Sequence, residues 1–187
     1  GCKYTTVPNV FSQKITYKDE VEFILDFSTL FLFFFLEKEL DFKFKHQFKI
    51  SNLIKKEIEE ELLELKNSPE SSMSIQITMQ GITRYDHPEN YKEKRIEFIN
   101  SGLVWIDENC EIDVVEEKLD LIPKLRQNEG FDSGFMKMLV DYMHLSAREN
   151  HNLISSDNSL FLFKKNANLY GNIISPEKYL ITFYPEK

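Results

Sequence analysis

Four acidic residues occupy predicted strand ends or helix starts, where α/β proteins usually have their active sites. Asp26 ends the apolar run "VEFILD" and Asp157 ends the run "HNLISSD". Asp132 opens one helical pattern, and Glu57 lies in the second turn of another. Carboxylates that meet repel one another unless a divalent cation neutralises them, and oxygen-only ligand sets suit Mg²⁺ or Mn²⁺. These four residues are therefore candidate metal ligands.

Each acid also has an ordinary structural explanation, and the sequence leaves these alternatives open. Asp132 could be only a helix N-cap, Asp157 could belong to a turn in "SSDNS", and Glu57 could lie on a solvated acidic face. Asp26 resists such an explanation, because an ionised carboxylate beside "FIL" and "LFLFFFL" is costly unless paired, hydrogen-bonded or bound to a cation. If the acids repel, the Asp26→Asn substitution should keep or raise the melting temperature of the metal-free protein.

Short apolar strands that alternate with helices are predicted along most of the chain. We expect strands at 21–26, 42–50 (with a helix as the alternative), 74–80, 103–106, 151–157 and 172–175. We expect helices at 28–40, 51–67, 88–102, 111–128, 132–150 and 159–171, and a last helical turn at 176–180. This alternation indicates an α/β fold with a mainly parallel sheet, in which sites lie outside the carboxyl ends of the strands. Asp26 and Asp157 would both project at that edge.

The composition predicts a folded domain of acidic character. The chain has 187 residues, 42% of them hydrophobic, and a formal net charge of −8. Such a charge repels nucleic acid, so any contact with nucleic acid must use a local basic patch. A candidate patch consists of the lysines along the predicted strand 42–50 and at the next helix start: Lys43, Lys45, Lys49, Lys55 and Lys56. A solvated edge, where lysine discourages strand pairing, is the alternative.

Several other classes of protein are disfavoured by the motifs. Cys2 and Cys110 lack a CxxC or zinc spacing, so free thiols in a reducing, cytoplasmic compartment are expected. The four histidines form no HExxH motif, and the glycine loops that bind nucleotides are absent from the sequence. The most apolar stretch, 23–36, is shorter than the roughly 20 residues of a membrane span. A haloacid-dehalogenase-like phosphatase would need a second Asp where Ser28 stands.

The motifs together resemble those of PIN domains. "FILDFSTL" resembles their opening motif, a strand that ends in Asp with Ser or Thr two positions later. "ISNLIKKEI" resembles the second motif, in which Glu follows a strand-to-helix turn. "FDSGFMKMLVDYMHLSARENHNLISSDNSLFLF" resembles the third and fourth motifs, and "NIISPEKYL" resembles the closing strand and helix. The resemblance implies a three-layer α/β/α, Rossmann-like domain over 21–187, with an insertion around 70–101 and an N-terminal extension or linker at 1–20.

The resemblance also implies a function, a metal-dependent endoribonuclease that hydrolyses phosphodiester bonds of single-stranded RNA. One or two Mg²⁺ or Mn²⁺ ions would bind the scissile phosphate and activate a water for in-line attack. By the matched motifs, the metal ligands would be Asp26, Glu57, Asp132 and Asp157. Ser28 would orient the Asp26 carboxylate, and Ser155 would act likewise near Asp157. A second acid is frequent in the family where this chain has Ser159, which puts a second metal in doubt.

A different function is compatible with the same resemblance, namely a PIN fold retained to bind RNA or protein without useful turnover. The chain looks more like the larger PIN domains that form one module of a multidomain bacterial protein than like the shorter toxins of the family. Other domains of a longer chain are therefore expected as partners. A homo-oligomer is compatible with the sequence, and no membrane partner is expected.

Overall fold

The computed structural model of this chain describes residues 21–70, 73–78, 81–115, 134–148, 150–157, 160–161 and 172–186. Its strands are β1 Glu22–Leu25, β2 Phe48–Ser51, β3 Met73–Thr78, β4 Gly81–Asp86, β5 Cys110–Asp113, β6 His151–Ile154 and β7 Asn172–Ile174. Its helices are α1 Phe27–Leu40, α2 Asn52–Asn67, α3 Tyr91–Asn109, α4 Gly134–Ser146 and α5 Pro176–Phe183. Asp132 and the predicted extension 1–20 lie outside the described residues, as does most of the predicted helix 159–171.

Five strands form a parallel sheet in the order β5-β2-β1-β6-β7. Helix α4 packs against β1, β2 and β6, while α1 contacts β1 and α3. The predicted α/β class, with a mainly parallel sheet flanked by helices, is confirmed. Strand β1 is central, between β2 and β6, so whatever follows its carboxyl end lies in the middle of that edge.

Helix α1 holds much of the aromatic core. Phe33 is fully buried, and its ring centroid lies 4.6 Å from that of Phe44 and 5.4 Å from those of Phe48 and Tyr179. Helix α1 is not buried all round, since Phe35 is 49% exposed on the opposite side. No helix in the described ranges is long and apolar enough to cross a membrane.

The predicted strand 103–106 is instead part of α3. Trp105 and Ile106 are buried there while Val104 is exposed, which is the periodicity of a helix with one apolar face. A short apolar run cannot by itself distinguish a buried strand from a buried helix segment. Gly102 therefore lies within α3, where the helix contacts α1. A Cβ atom at Gly102 would lie 3.6 Å from the Phe31 ring.

Two other predicted elements are also corrected. Only the end of the predicted strand 42–50 belongs to β2; the preceding residues are irregular, and their alternating phenylalanines reflect core packing. Phe42 packs against Tyr184, with ring centroids 4.9 Å apart. The start of the predicted helix 111–128 is strand β5, which pairs in parallel with β2. Hydrogen bonding of these residues to the edge of β2 outweighed their weak helical propensity. Residues 116–128 lie outside the described ranges.

The segment 70–101 contains an antiparallel hairpin, β3–β4, that is separate from the parallel sheet. Cross-strand partners share a face, so the pairing of Ile77 with Ile82 and of Ile75 with Arg84 gives one mainly aliphatic face. The opposite face carries polar residues such as Gln76 and Thr83. The aliphatic side chains are exposed to solvent, so they contribute little to the core of the domain.

The variants Phe33→Ala and Ile77→Ala compare how much the core and the hairpin contribute to the free energy of unfolding. We expect Phe33→Ala to lower the free energy of unfolding by about 3–5 kcal/mol, because it leaves a cavity beneath the sheet. Ile77→Ala, at a position that is 76% exposed, should change that free energy by less than about 0.5 kcal/mol. Urea denaturation followed by circular dichroism measures both values. Similar losses in the two variants would show that the hairpin is part of the cooperative core.

Candidate active site

Asp26 lies directly after the central strand β1, where it is the N-cap of α1 and only 3% exposed. Its Oδ1 atom accepts hydrogen bonds from the backbone N–H of Thr29 at 2.7 Å and from the Ser28 hydroxyl at 3.0 Å. Its Oδ2 atom accepts a short hydrogen bond from the Ser155 hydroxyl. These bonds offset the cost of burying the carboxylate. A carboxylate offers about four lone pairs, so acceptor capacity remains for a further ligand.

Ser155 connects two of the candidate acids. It follows β6, and its backbone N–H donates to the Ile174 carbonyl at 3.0 Å, which fixes it against β7. Its hydroxyl donates to Asp26 and accepts from the backbone N–H of Asp157 at 3.0 Å. A displacement of Asp26 would therefore shift the loop that carries Asp157.

A cavity of about 320 Å³ opens beside these residues. Its polar wall includes Asp26, Ser28 and Asp157, so the structure brings together two of the four acids that the sequence singled out. The remaining lining residues are Phe27, Met138, Leu139, Tyr142 and Leu160. The site thus combines carboxylate oxygens with an apolar wall that limits the access of water.

The other two predicted ligands are not seen at the cavity. Glu57 is partly buried on α2 but is not among the residues that line the cavity, and Asp132 lies outside the described residues. Within the described ranges, no three His, Cys, Asp or Glu side chains are grouped so that they could hold a metal ion. Asp26 and Asp157 nevertheless have the hard oxygen donors that Mg²⁺ or Mn²⁺ requires, so the donor chemistry fits such an ion.

Two polar residues of α4 at this edge, Asp141 and Tyr142, are not predicted from the sequence. Tyr142 accepts a hydrogen bond from the backbone N–H of Phe27 at 2.9 Å. Asp141 is 8% exposed and accepts a short hydrogen bond from Ser51, whose hydroxyl also caps α2 by accepting from the Leu53 N–H at 3.1 Å. An acid within the apolar run "MLVDYM" was a usable signal for Asp141, as it had been for Asp26. Nothing local could reveal a contact between Tyr142 and a residue 115 positions earlier.

Comparison with known proteins agrees with this architecture. A family model described as the PIN domain associated with the TPR-GreAB-C-PIN system matches residues 24–165. The chain belongs to the PIN domain family. No curated protein matches the chain. The family's description associates its PIN domain with the TPR-GreAB-C-PIN system, and the matched range includes Asp26, Glu57, Asp132 and Asp157.

Burial favours the neutral forms of Tyr142 and Cys110 in this PIN domain. Burial, reinforced by the charge of Asp26, raises the pKa of Tyr142 above its usual range, so the phenol keeps its proton. Burial likewise raises the pKa of the Cys110 thiol to about 12. Because the thiolate is the nucleophilic form, Cys110 is inert at neutral pH.

The lysines Lys43, Lys45 and Lys49 of the candidate basic patch do not lie along one strand, so their predicted placement on a strand at 42–50 is wrong. Lys43 and Lys45 precede β2 in an irregular segment, and Lys49 alone is within the strand. Four of the five lysines form ion pairs: Lys43 with Glu37, Lys49 with Glu22 and Glu111, Lys55 with Asp107, and Lys56 with Glu60. The ammonium group of Lys45 lies 5.4 Å from the ring centroid of Tyr184.

The hydrogen bonds of Asp26 alter the expected effect of the Asp26→Asn substitution on the metal-free protein. An amide keeps one acceptor oxygen but loses the other, so the bond from Ser155 cannot form as it does now. We expect a loss of about 1–2 kcal/mol in the free energy of unfolding, measured by urea denaturation in EDTA. Asp86→Asn on the exposed hairpin is the control and should change it by less than about 0.5 kcal/mol. Equal or higher stability of Asp26→Asn would show that carboxylate repulsion dominates, as the sequence alone had suggested.

Proposed function

We propose that this PIN domain is a Mg²⁺- or Mn²⁺-dependent endoribonuclease acting on single-stranded RNA. The observation that carries the proposal is the placement of Asp26 and Asp157 in one cavity at the carboxyl edge of the sheet. Active sites of parallel α/β folds form at this edge. Glu57 and Asp132 join the proposed ligand set on the strength of the family motifs.

The residues of the chain have distinct proposed roles. Asp26 and Asp157 would hold the ion, which when bound supplies Lewis acidity and a nucleophile that works near neutral pH. Ser28 and Ser155 hold the Asp26 carboxylate in one orientation through their hydroxyl groups. The apolar side chains of Met138, Leu139 and Leu160 exclude water around the polar groups, which strengthens electrostatic interactions there.

RNA reaches an acidic protein only through local positive charge, which we assign to the five lysines Lys43, Lys45, Lys49, Lys55 and Lys56. Hydrogen bonding to Glu22 raises the pKa of Lys49, and hydrogen bonding to Glu37 raises that of Lys43, so both stay charged. Their acidic partners compete with RNA phosphates, so these contacts contribute modestly. We expect RNA affinity to fall between 50 and 200 mM salt by less than the roughly 10³-fold of strongly basic proteins. Fluorescence anisotropy with a labelled oligoribonucleotide measures this dependence, and a salt-independent affinity would remove the lysines from the proposal.

Cleavage of single-stranded RNA tests the catalytic proposal directly. We expect slow cleavage with Mn²⁺ or Mg²⁺, none with EDTA, and a loss of about 100-fold or more in Asp157→Asn because a proposed ligand of the ion is removed. RNA binding by this variant should stay the same or strengthen, since one repulsive charge is deleted. Asp86→Asn, on the hairpin, is the matched control and should cleave like the unaltered chain.

A binding module without turnover is the alternative function. Two observations favour it: Ser159 stands where the family often has an acid, and the described residues contain no cluster of three metal-binding side chains. If the purified protein binds RNA but shows no metal-dependent cleavage above the Asp157→Asn background, this alternative replaces the ribonuclease.

A further inference from the structure

Among the described residues that line the cavity, Tyr142 is the one polar residue that the family motifs leave unexplained. It lies on α4, is 5% exposed as a whole residue, and contributes to the cavity wall beside Asp26. Its hydroxyl oxygen accepts the Phe27 backbone N–H at 2.9 Å. Because Phe27 directly follows Asp26 in sequence, this bond fixes the phenol oxygen relative to the candidate site.

The hydroxyl of Tyr142 still has a donor to use. A phenol donates one proton and accepts through its lone pairs, and the Phe27 N–H occupies the acceptor side. In the part of the chain that the structure describes, no residue accepts the Tyr142 proton. Buried donors are rarely left without a partner, because an unmade hydrogen bond there is costly. A ligand in the cavity would supply the missing acceptor.

The chemistry of the remaining cavity wall indicates what that ligand is. Ser28 already donates its proton to Asp26. The carboxylates of Asp26 and Asp157 can only accept, so by themselves they repel an anionic group. The phosphodiester is an anion whose non-bridging oxygens can only accept hydrogen bonds. A fixed donor at the cavity wall complements such an oxygen.

We propose that the Tyr142 hydroxyl donates a hydrogen bond to a non-bridging oxygen of the RNA phosphate bound beside Asp26 and Asp157. This inference rests on the proposed site and adds Tyr142 to it as a residue that contacts the substrate. The bond to Phe27 then has a specific purpose, since it aims the phenol oxygen before the phosphate arrives. No bond is made or broken at Tyr142, which keeps its proton throughout.

The Tyr142→Phe variant separates a contact with phosphate from a purely structural role. A matched control is Tyr179→Phe, which removes another buried phenol hydroxyl; that hydroxyl lies 2.8 Å from His46 Nδ1 and outside the cavity. Three quantities are measured: stability in urea, Mn²⁺ affinity by calorimetry, and affinity for a labelled single-stranded oligoribonucleotide in Ca²⁺, with the RNA verified as intact on a gel. Tyr142→Phe should weaken RNA binding about tenfold or more, as expected for a hydrogen bond to a charged group, and change Mn²⁺ affinity less than about twofold. Tyr179→Phe should change neither affinity.

A second substitution covers the case in which Tyr142→Phe fails to fold because the Phe27 N–H loses its acceptor. O-methyltyrosine at position 142 keeps the acceptor oxygen for the Phe27 N–H but replaces the donated proton with a methyl group, and it should also weaken RNA binding. Unchanged RNA affinity in the folded variants, or parallel losses of RNA and Mn²⁺ affinity, would overturn the inference, as would an unaltered chain that binds no RNA. If the protein binds RNA but does not cleave it, only the ribonuclease proposal fails, because the phosphate contact is tested by RNA affinity and not by cleavage.

Discussion

The buried carboxylate of Asp26 is the interaction on which the geometry of the site depends. It sits at the end of the central strand, and its hydrogen bonds come from Ser28, Thr29 and Ser155. The first two begin α1, while Ser155 belongs to the loop after β6, so one side chain connects three parts of the chain. A neutral residue could cap α1 equally well, but it would not leave an anionic oxygen at the cavity. Burial of the Asp26 carboxylate is tolerated because these hydrogen bonds satisfy it. The same carboxylate caps α1 and lines the proposed site.

Helix α4 extends this network to the neighbouring strand. Two consecutive residues reach different elements, since Asp141 accepts from Ser51 at the start of α2 and Tyr142 accepts from Phe27 at the start of α1. The N-termini of both helices are thus fixed by one element that crosses the sheet. A helix end left unsatisfied would be costly when buried, and polar contacts of this kind also define where each helix begins.

The two edges of the sheet use charge in different ways. At the amino edge, Lys49 bridges Glu22 and Glu111, and Glu22 also contacts the imidazole of His151 at 2.6 Å. These side chains link four adjacent strands. At the carboxyl edge, Asp26 is bonded to hydroxyl groups and a backbone amide, with no cationic side chain of the described residues among its partners. This asymmetry leaves the Asp26 carboxylate without a cationic side-chain partner among the described residues at the proposed metal site, whereas Lys49 pairs with the carboxylates at the amino edge.

The sequence by itself determined the fold class, the family and three residues of the cavity, Asp26, Ser28 and Asp157. Strand β1 and helices α1 and α2 follow from local patterns, because burial and capping act within a few residues, as at Ser51 and Asp26. The sequence could not distinguish the strand predicted at 103–106 from the helix that forms there, since an apolar run of that length fits either. It also could not place Lys43 and Lys45, whose alternation with phenylalanines reflects packing against Tyr184 and Phe33. Only the tertiary structure brought Tyr142 to Phe27 and Asp141 to Ser51. Such contacts join residues about a hundred positions apart, and the hydrogen bond that makes them exists only after the sheet has assembled.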